Sequence, residues 1–304
     1  MRRFLARLML LALAATVAIF GFLNFQLYRE ICRPPRVVKQ AISDVLMERE
    51  DVSFSSSDGV NLAGVFLRGK AGAPAIAFVH DRKAERSQVL AVALLLNHLG
   101  YGVLAFDLRA HGQSGGSASS LGILEAKDVE GAVAYLDSRA DVKKGSVGVW
   151  GIGMGAYATV LAAGKADALP TVRAVALNFL YPDARAIMAQ EFENTFHTPM
   201  GALGTTYDGL FTKVTGATFG SGRLEDHVDG LKTRQVLFVV SEDDAQSKNF
   251  VTDKLYQAVD PYHRTLLNLH RRGIPTEGSD RESFELNTMQ FFKTTLPLPG
   301  SGKS

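Results

Sequence analysis

The sequence predicts an α/β fold, in which a mostly parallel, eight-stranded sheet carries helices on both faces and follows an apolar N-terminal helix. Short apolar runs alternate along the chain with stretches whose apolar residues recur at helical spacing. Such alternation favours parallel strands joined by right-handed crossovers. Hydrophobic residues make up 46% and charged residues 21% of the 304 residues, which suits a membrane anchor plus one domain with a sizeable core.

Residues 1–28 are predicted to form a transmembrane anchor, and residues 29–50 a linker. An apolar run extends from about Leu8 to Leu27, and about twenty helical residues span the ~30 Å of a bilayer's hydrocarbon core. A cleaved signal peptide has a shorter apolar core with a small-x-small site just after it, whereas Ala12-Leu13-Ala14 stands inside this run. The sequence therefore favours an uncleaved anchor.

Arginines flank both ends of the apolar run, as Arg2, Arg3 and Arg7 on one side and Arg29, Arg33 and Arg36 on the other. The positive-inside rule counts charges close to the ends of a span, so here it leaves the orientation open. Our working expectation is a bacterial inner membrane with the folded domain on the periplasmic side.

Charge and cysteine content limit the classes of partner and cofactor. The net charge is +2, and no cluster of basic residues alternates with aromatic ones, so a nucleic acid partner is not expected. The single cysteine, Cys32, excludes an internal disulfide and a cysteine-based zinc site. We expect no metal and no other cofactor, and the sequence identifies no protein partner.

Eight strands are predicted. The first two, Asp51–Ser55 and Asn61–Arg68, flank the turn Ser57-Asp58-Gly59 and should pair antiparallel. Continuous apolar runs, typical of strands that are buried on both faces, supply the other six: Ala75–Val79, Gly102–Phe106, Ser146–Trp150, Val172–Leu177, Val236–Val240 and Thr265–Leu269.

Helical spacing of apolar residues predicts five helices between or after these strands: Arg86–Leu99, Leu124–Leu136, Ala156–Ala163, Lys248–Val259 and Glu282–Phe292. Between about residues 181 and 230 the alternation lapses, and an insertion in a fold of this type forms a lid above the carboxyl ends of the strands. The folded domain is therefore placed at residues 51–296. Residues 297–304, rich in Pro, Gly and Ser, are expected to form a disordered tail.

Three motifs stand in order in the first half of this domain. Val79-His80 ends the third strand, residues 106–114 read FDLRAHGQS, and residues 148–155 read GVWGIGMG. From about Val52 to Phe292 the chain resembles the α/β-hydrolase superfamily, in particular membrane-anchored bacterial hydrolases related to dienelactone hydrolases and serine esterases. The resemblance implies a serine-hydrolase site above the carboxyl ends of the strands.

The third motif lacks the residue that this family uses as its nucleophile. In the family's Gly-x-Ser-x-Gly elbow, the serine sits on a sharp strand-to-helix turn that raises its hydroxyl above the sheet. This chain keeps the flanking Gly151 and Gly155 but has Gly153 at the centre. Covalent catalysis by the family route needs the missing oxygen. A glycine kept only for packing is the alternative interpretation.

The resemblance assigns the oxyanion-hole positions to Asp81 and Met154. The backbone N–H of Met154 would point at the site from the start of a helix, where anions are favoured. The other loop, glycine-rich in the family, here reads Asp81-Arg82-Lys83. Asp81 thus brings a carboxylate to the place where negative charge would form, which is unfavourable unless Arg82 or Lys83 neutralises it.

The resemblance also implies an acid and a base. The stretch SEDD after the seventh strand matches the acid position, with Asp244 as the candidate and Asp243 as the reserve. The histidine would fall near Gly273 or Ile274, but the nearest imidazole is His270, some three residues early. His270 could reach Asp244 if the eighth strand is short.

Two further interpretations concern neighbouring residues. His80 and His111, together with Asp81 and Asp107, could be read as a metal cluster, but family membership explains them as loop residues at strand ends. A serine within residues 114–120 could supply a displaced nucleophile, although it would lack the geometry of the elbow.

Three functions remain open. The first is a non-catalytic, membrane-anchored protein that binds a small hydrophobic or acyl-like ligand, or a protein partner. The second is an active hydrolase, esterase-like or peptidase-like, that uses an atypical nucleophile or a water activated by Asp244 and His270. The third is a structural module of a membrane complex. Gly153 together with Asp81 favours the first.

Overall fold

The structure, a computed structural model, describes residues 1–33, 36, 49–165, 167–201 and 203–300. Residues 34, 35 and 37–48 of the predicted linker and residues 301–304 of the predicted tail lie outside the described residues. An eight-stranded sheet forms the centre of the domain, in the order β1-β2-β4-β3-β5-β6-β7-β8. The predicted fold is therefore confirmed.

The strands lie within one or two residues of their predicted positions. They are β1 (Glu50–Ser55), β2 (Asn61–Leu67), β3 (Ala75–Val79), β4 (Gly102–Phe106), β5 (Val147–Ile152), β6 (Val172–Asn178), β7 (Gln235–Ser241) and β8 (Arg264–Leu269). β2 pairs antiparallel with β1 and β4, and the other neighbours are parallel. The carboxyl ends of β3 to β8 therefore meet at one edge of the sheet.

The α-helices are α1 (Arg2–Cys32), α2 (Ser87–Leu99), α3 (Ala126–Ser138), α4 (Met154–Ala163), α5 (Ala184–Phe196), α6 (Leu203–Thr215), α7 (Ala245–Phe250), α8 (Tyr256–Ala258) and α9 (Gly278–Thr295). A π-helical turn, Val251–Leu255, separates α7 from α8, so the helix predicted over 248–259 is interrupted. The last helix is longer at both ends than the predicted Glu282–Phe292.

Side chains alternate across the sheet between two apolar cores. In β4, Leu104 and Phe106 join the core beneath α3 and α4, whereas Val103 and Ala105 join the core beneath α2 and α9. Each fully buried side chain of this size contributes about 1.5–3 kcal/mol relative to exposure. Burial on both faces of the sheet explains why a central strand such as β4 is a continuous apolar run in the sequence.

The insertion between β6 and β7, which the sequence predicts to be a lid, contains α5, α6 and three short 3₁₀ segments. α5 begins where the Asp183 side chain accepts a hydrogen bond from the Ala186 N–H at 2.7 Å. Phe211 of α6 stacks on Phe219 with ring centroids 4.2 Å apart. We call α5 and α6 the lid helices.

The N-terminal helix is longer than the predicted anchor. Its stretch Arg2–Gln26 is long and apolar enough to cross a membrane, and none of it is buried against the domain. The helix continues past residue 28 to Cys32, which is fully buried. The Cys32 thiol lies 3.0 Å from the Tyr207 hydroxyl of α6, and burial raises the pKa of this thiol to about 12. α1 therefore ends against the lid.

Candidate active site

The turn between β5 and α4 has the shape of a nucleophile elbow. Gly153 has φ +56° and ψ −116°, a conformation that strains residues with a side chain. Its N–H donates to the Asn178 carbonyl at 2.9 Å. A Cβ on Gly151 would lie 2.7 Å from the Gly155 carbonyl oxygen, and one on Gly155 would overlap the carbonyl of Val79. The flanking glycines are therefore sterically required.

The carboxylate of Asp81 lies in the space that a nucleophile side chain would occupy. A Cβ built on Gly153 would overlap all three atoms of the Asp81 carboxyl group. One carboxylate oxygen accepts hydrogen bonds from the N–H groups of Met154 at 2.8 Å and Arg82 at 2.7 Å. The N–H that would stabilise an oxyanion is therefore already bonded to an anion of the chain itself.

The backbone N–H of Asp81, the second predicted oxyanion donor, also has a hydrogen-bond partner within the chain. The Asp81 N–H donates to the side-chain carbonyl oxygen of Gln88, in α2, at 2.8 Å. In the family, the loop after the third strand supplies a backbone N–H to the oxyanion hole. Neither of the two backbone donors is directed at an open site in this structure.

Arg82 connects the loop after β3 to the lid. Its side chain is only 5% exposed and forms an ion pair with Glu191 of α5, and Lys83 pairs with the same carboxylate. Burial lowers the pKa of Arg82 to about 10, while Asp81 opposes that shift, so the group stays cationic at neutral pH. A buried charge requires such partners.

Arg272 lies beside the candidate acid, where the family would have its histidine. Its guanidinium pairs with Asp244, donates to the Phe179 carbonyl at 2.9 Å and lies 4.2 Å from the centre of the Tyr181 ring. The Arg272 N–H donates to Asp243 at 2.9 Å. A guanidinium stays protonated in proteins, so Arg272 offers no general base.

The expected pairing of His270 with Asp244 is wrong. Asp280, in the first turn of α9, lies 2.7 Å from the His270 Nδ1 and also accepts the His270 N–H at 2.9 Å. This bond raises the pKa of His270, whose side chain is 73% exposed. β8 extends to Leu269, so His270 stands at the strand end and turns toward α9.

The two buried histidines at the strand ends have structural contacts. The His80 Nε2 accepts the Leu108 N–H at 3.0 Å, and its Nδ1 donates to the Asp81 carbonyl at 2.7 Å. Burial lowers the pKa of His80 to about 3, so its ring is neutral. The His111 Nδ1 donates to the Arg109 carbonyl at 2.8 Å.

Asp107, the other carboxylate of the metal interpretation, pairs with Arg86 at 2.7 Å. No group of three or more potential metal ligands comes together in the part of the chain that the structure describes. The serines of residues 114–120 include Ser119 and Ser120, whose hydroxyls donate to the buried Glu125 carboxylate at 2.7 and 2.6 Å. The Ser119 hydroxyl also lies 3.7 Å from the Met154 sulfur, so these contacts hold the loop beside the start of α4.

Two residues that matter most for the shape of this site, Arg82 and Arg272, were not predicted as site residues. Arg82 entered the sequence analysis only as a possible counter-ion for Asp81. Arg272 directly precedes the position counted for the histidine. The count from the end of the eighth strand gave Gly273 or Ile274 and so missed Arg272 by one residue.

Comparison with known proteins identifies the family of the chain. A family model described as X-Pro dipeptidyl-peptidase (S15 family) matches residues 58–236. The protein Rv2307c of Mycobacterium tuberculosis H37Rv, which carries no assigned function, is 30% identical over 153 residues, or 49% of this chain and 54% of the relative. The chain thus spans about half the length of this curated relative.

Solved structures show the fold over a longer stretch. The esterase Pf2001 of Pyrococcus furiosus superposes with a TM-score of 0.68 at 20% identity, covering 88% of this chain and 98% of the esterase. A dienelactone hydrolase of Anabaena variabilis gives a TM-score of 0.56 at 17% identity, covering 82% and 99%. Together with the matching family model, this shared fold confirms the resemblance to the α/β-hydrolase superfamily.

Proposed function

The chain belongs to the X-Pro dipeptidyl-peptidase (S15) family, within the α/β-hydrolase superfamily, and we propose that it is a membrane-anchored, non-hydrolytic member that binds an acyl-like carboxylate. One observation carries this proposal: the Asp81 carboxylate fills the nucleophile's space and accepts the Met154 N–H. The cleft therefore already holds an acyl-like anion, supplied by the chain itself.

Turnover by the family mechanism needs an attacking atom, a base and free oxyanion donors. Gly153 offers no attacking atom. Arg272 takes the partner position beside Asp244, and it cannot accept a proton. The donors at Asp81 and Met154 are already bonded. These losses affect three separate chain segments that meet at one site, which supports loss of hydrolysis as a whole.

The charges around the elbow support a carboxylate as the ligand. Arg82 is buried beside Asp81, and the Met154 N–H points at the same place from the start of α4. A ligand carboxylate that displaced Asp81 would meet the same N–H and the same cation. Such an exchange requires Arg82 to leave Glu191, so binding would loosen the contact between the loop and the lid.

The apolar lid supports an acyl chain behind that carboxylate. Met188 and Phe192 of α5 and Phe211 of α6 are buried in the core that continues under the lid. A medium-length acyl chain is the ligand that combines an apolar tail with a carboxylate. Among the small hydrophobic or acyl-like ligands expected from the sequence, we therefore propose a fatty acid.

An active hydrolase that uses a water activated by Asp244 and His270 has less support. His270 bonds to Asp280, and Asp244 pairs with Arg272, so the two residues do not form an acid–base pair. The structural-module alternative gains no specific observation beyond the presence of α1.

Isothermal titration calorimetry with a medium-chain fatty acid and the alcohol of equal length tests the proposal. We expect the full-length protein in detergent to bind the acid and not the alcohol. Asp81→Gly should bind the acid at least tenfold more tightly, because the internal competitor is gone. Asp81→Asn keeps a side chain of the same shape with an oxygen acceptor, so its affinity for the acid should increase less. Equal binding of acid and alcohol, or weaker acid binding by Asp81→Gly, would contradict the carboxylate site.

A further inference from the structure

The end of α1 fixes how far the lid can be from the membrane. The membrane-spanning stretch ends at Gln26, and the helix continues without interruption to Cys32. Cys32 is buried against Tyr207 of α6, and its carbonyl accepts the Ser119 N–H at 2.7 Å. α1 also packs on α5. Both lid helices therefore contact the last turns of the anchor.

Cys32 lies six helical positions beyond the end of the span, and at 1.5 Å per position this is ~9 Å. The polar headgroup layer on each side of a bilayer is roughly 5–8 Å thick. This distance is set along the helix, so a tilt of the anchor only brings the lid closer to the hydrocarbon core. No linker between the span and the lid allows the domain to move further away.

We propose that the lid face of the domain lies in the headgroup layer, with the lipid surface as the partner of its exposed apolar residues. The inference rests on the proposed membrane anchoring of α1. It assigns a surface that the proposed binding site does not use, and it places the lid where a fatty acid leaving the bilayer would arrive.

The chemistry of the lid surface fits such a partner. Phe196, at the end of α5, is 40% exposed and Val214, at the end of α6, is 37% exposed. Exposed cations lie on the elements that meet at the lid: Arg29 and Arg33 at the end of α1, and Lys213 next to Val214 in α6. Apolar residues beside cations are typical of surfaces that dip into a lipid headgroup layer.

Fluorescence quenching measured site by site tests this placement. The full-length protein is reconstituted into phosphatidylcholine vesicles that contain phosphatidylcholine with a nitroxide on the headgroup. An environment-sensitive fluorophore is attached to Phe196→Cys, to Val214→Cys and, as a control, to Tyr262→Cys. Tyr262 is 90% exposed and lies just before β8, at the opposite edge of the sheet from the lid. The parent chain, whose one cysteine is buried, sets the labelling background.

We expect the lipid nitroxide to quench both lid positions several times more strongly than the control position. Flotation of the vesicles reports separately on the anchor. A protein that floats with the vesicles but shows equal quenching at the three positions would overturn the placement of the lid and leave the anchor intact. A protein that does not float would overturn the anchor, and this inference with it.

Discussion

Gly153 and Asp81 share one small volume at the start of α4. Any side chain at residue 153 has its Cβ where the Asp81 carboxyl group lies. The two residues are therefore complementary, because the glycine provides the space and the carboxylate fills it. The Met154 N–H that would otherwise stay unpaired in the cleft is bonded by this carboxylate.

Gly153→Ala should lower the free energy of unfolding by at least about 1–3 kcal/mol, because φ is positive at this residue and the new methyl group displaces Asp81. The double variant with Asp81→Gly should recover part of that loss. Urea denaturation of the four proteins in a double-mutant cycle measures the coupling. If the stability changes of the two single variants sum to that of the double variant within about 0.5 kcal/mol, the idea that the two residues share one volume is contradicted.

Arg272→Ala should lower the free energy of unfolding by about 1–3 kcal/mol, because it removes both the ion pair with the half-buried Asp244 and the hydrogen bond to the Phe179 carbonyl. His270→Ala is the matched comparison, since its ion pair with Asp280 is solvent-exposed. It should leave the melting curve unchanged. A larger loss of stability for His270→Ala than for Arg272→Ala would refute our assignment of the two residues.

At the scale of elements, the loop after β3 joins the elbow to the lid. Asp81 contacts the start of α4, and Arg82 and Lys83 contact Glu191 of α5. Within the lid, Arg185 of α5 pairs with Asp208 of α6. The lid is therefore held closed by ion pairs that lead to the site, and by the Cys32 contact with α6.

Glu191→Gln should loosen the lid, because it removes the negative partner of the buried Arg82. Amide hydrogens of α5 should exchange faster in this variant, with little change in β3 or β5. Glu193→Gln, two residues further along the same helix and exposed, serves as the control. Equal exchange rates of α5 in the two variants would show that the ion pair does not hold the lid.

The central strands β3 to β7 could be predicted from sequence because each contains a continuous apolar run whose residues join the cores on both faces of the sheet. The glycine at the elbow was equally visible, since Gly151 and Gly155 mark the turn. The partners of long polar side chains were not. His270 and Arg272 lie two residues apart, and only the path of the chain into α9 decides which of them faces Asp244.

For the whole molecule, buried neutral histidines link stability to pH. Burial holds the pKa of His80 near 3 and also lowers that of His111. An unfolded histidine titrates near 6.5. The stabilising contribution of a neutral buried ring is therefore complete above pH 6.5 and is lost as the pH falls below it, because the unfolded chain then binds protons that the folded chain does not.

The stability difference between the parent and His80→Gln should therefore shrink by about 2 kcal/mol between pH 7 and pH 5. Chemical denaturation of both proteins at each pH measures it. Taking the difference removes the contributions of carboxylates that are common to both proteins. A difference that stays constant over this range would mean that His80 is protonated in the folded protein.

The architecture connects the apolar N-terminal helix to the proposed binding site. α1 ends on the lid, the lid is paired with Arg82, and the neighbouring Asp81 fills the elbow. A fatty acid that enters from the membrane would reach the lid first and the Asp81 carboxylate last. Binding would then separate the lid from the elbow without any bond being broken in the ligand.

Intact-mass spectrometry after exposure to a fluorophosphonate, which reacts covalently with activated serines, tests the absence of a nucleophile most directly. The account predicts no adduct on the parent and none on Gly153→Ser, whose new side chain overlaps the Asp81 carboxylate. The variant Asp81→Gly/Gly153→Ser/Arg272→His, checked for folding by thermal melting, should gain one adduct on the new serine. An adduct on a cleft serine of the parent, or full labelling of Gly153→Ser alone, would contradict it.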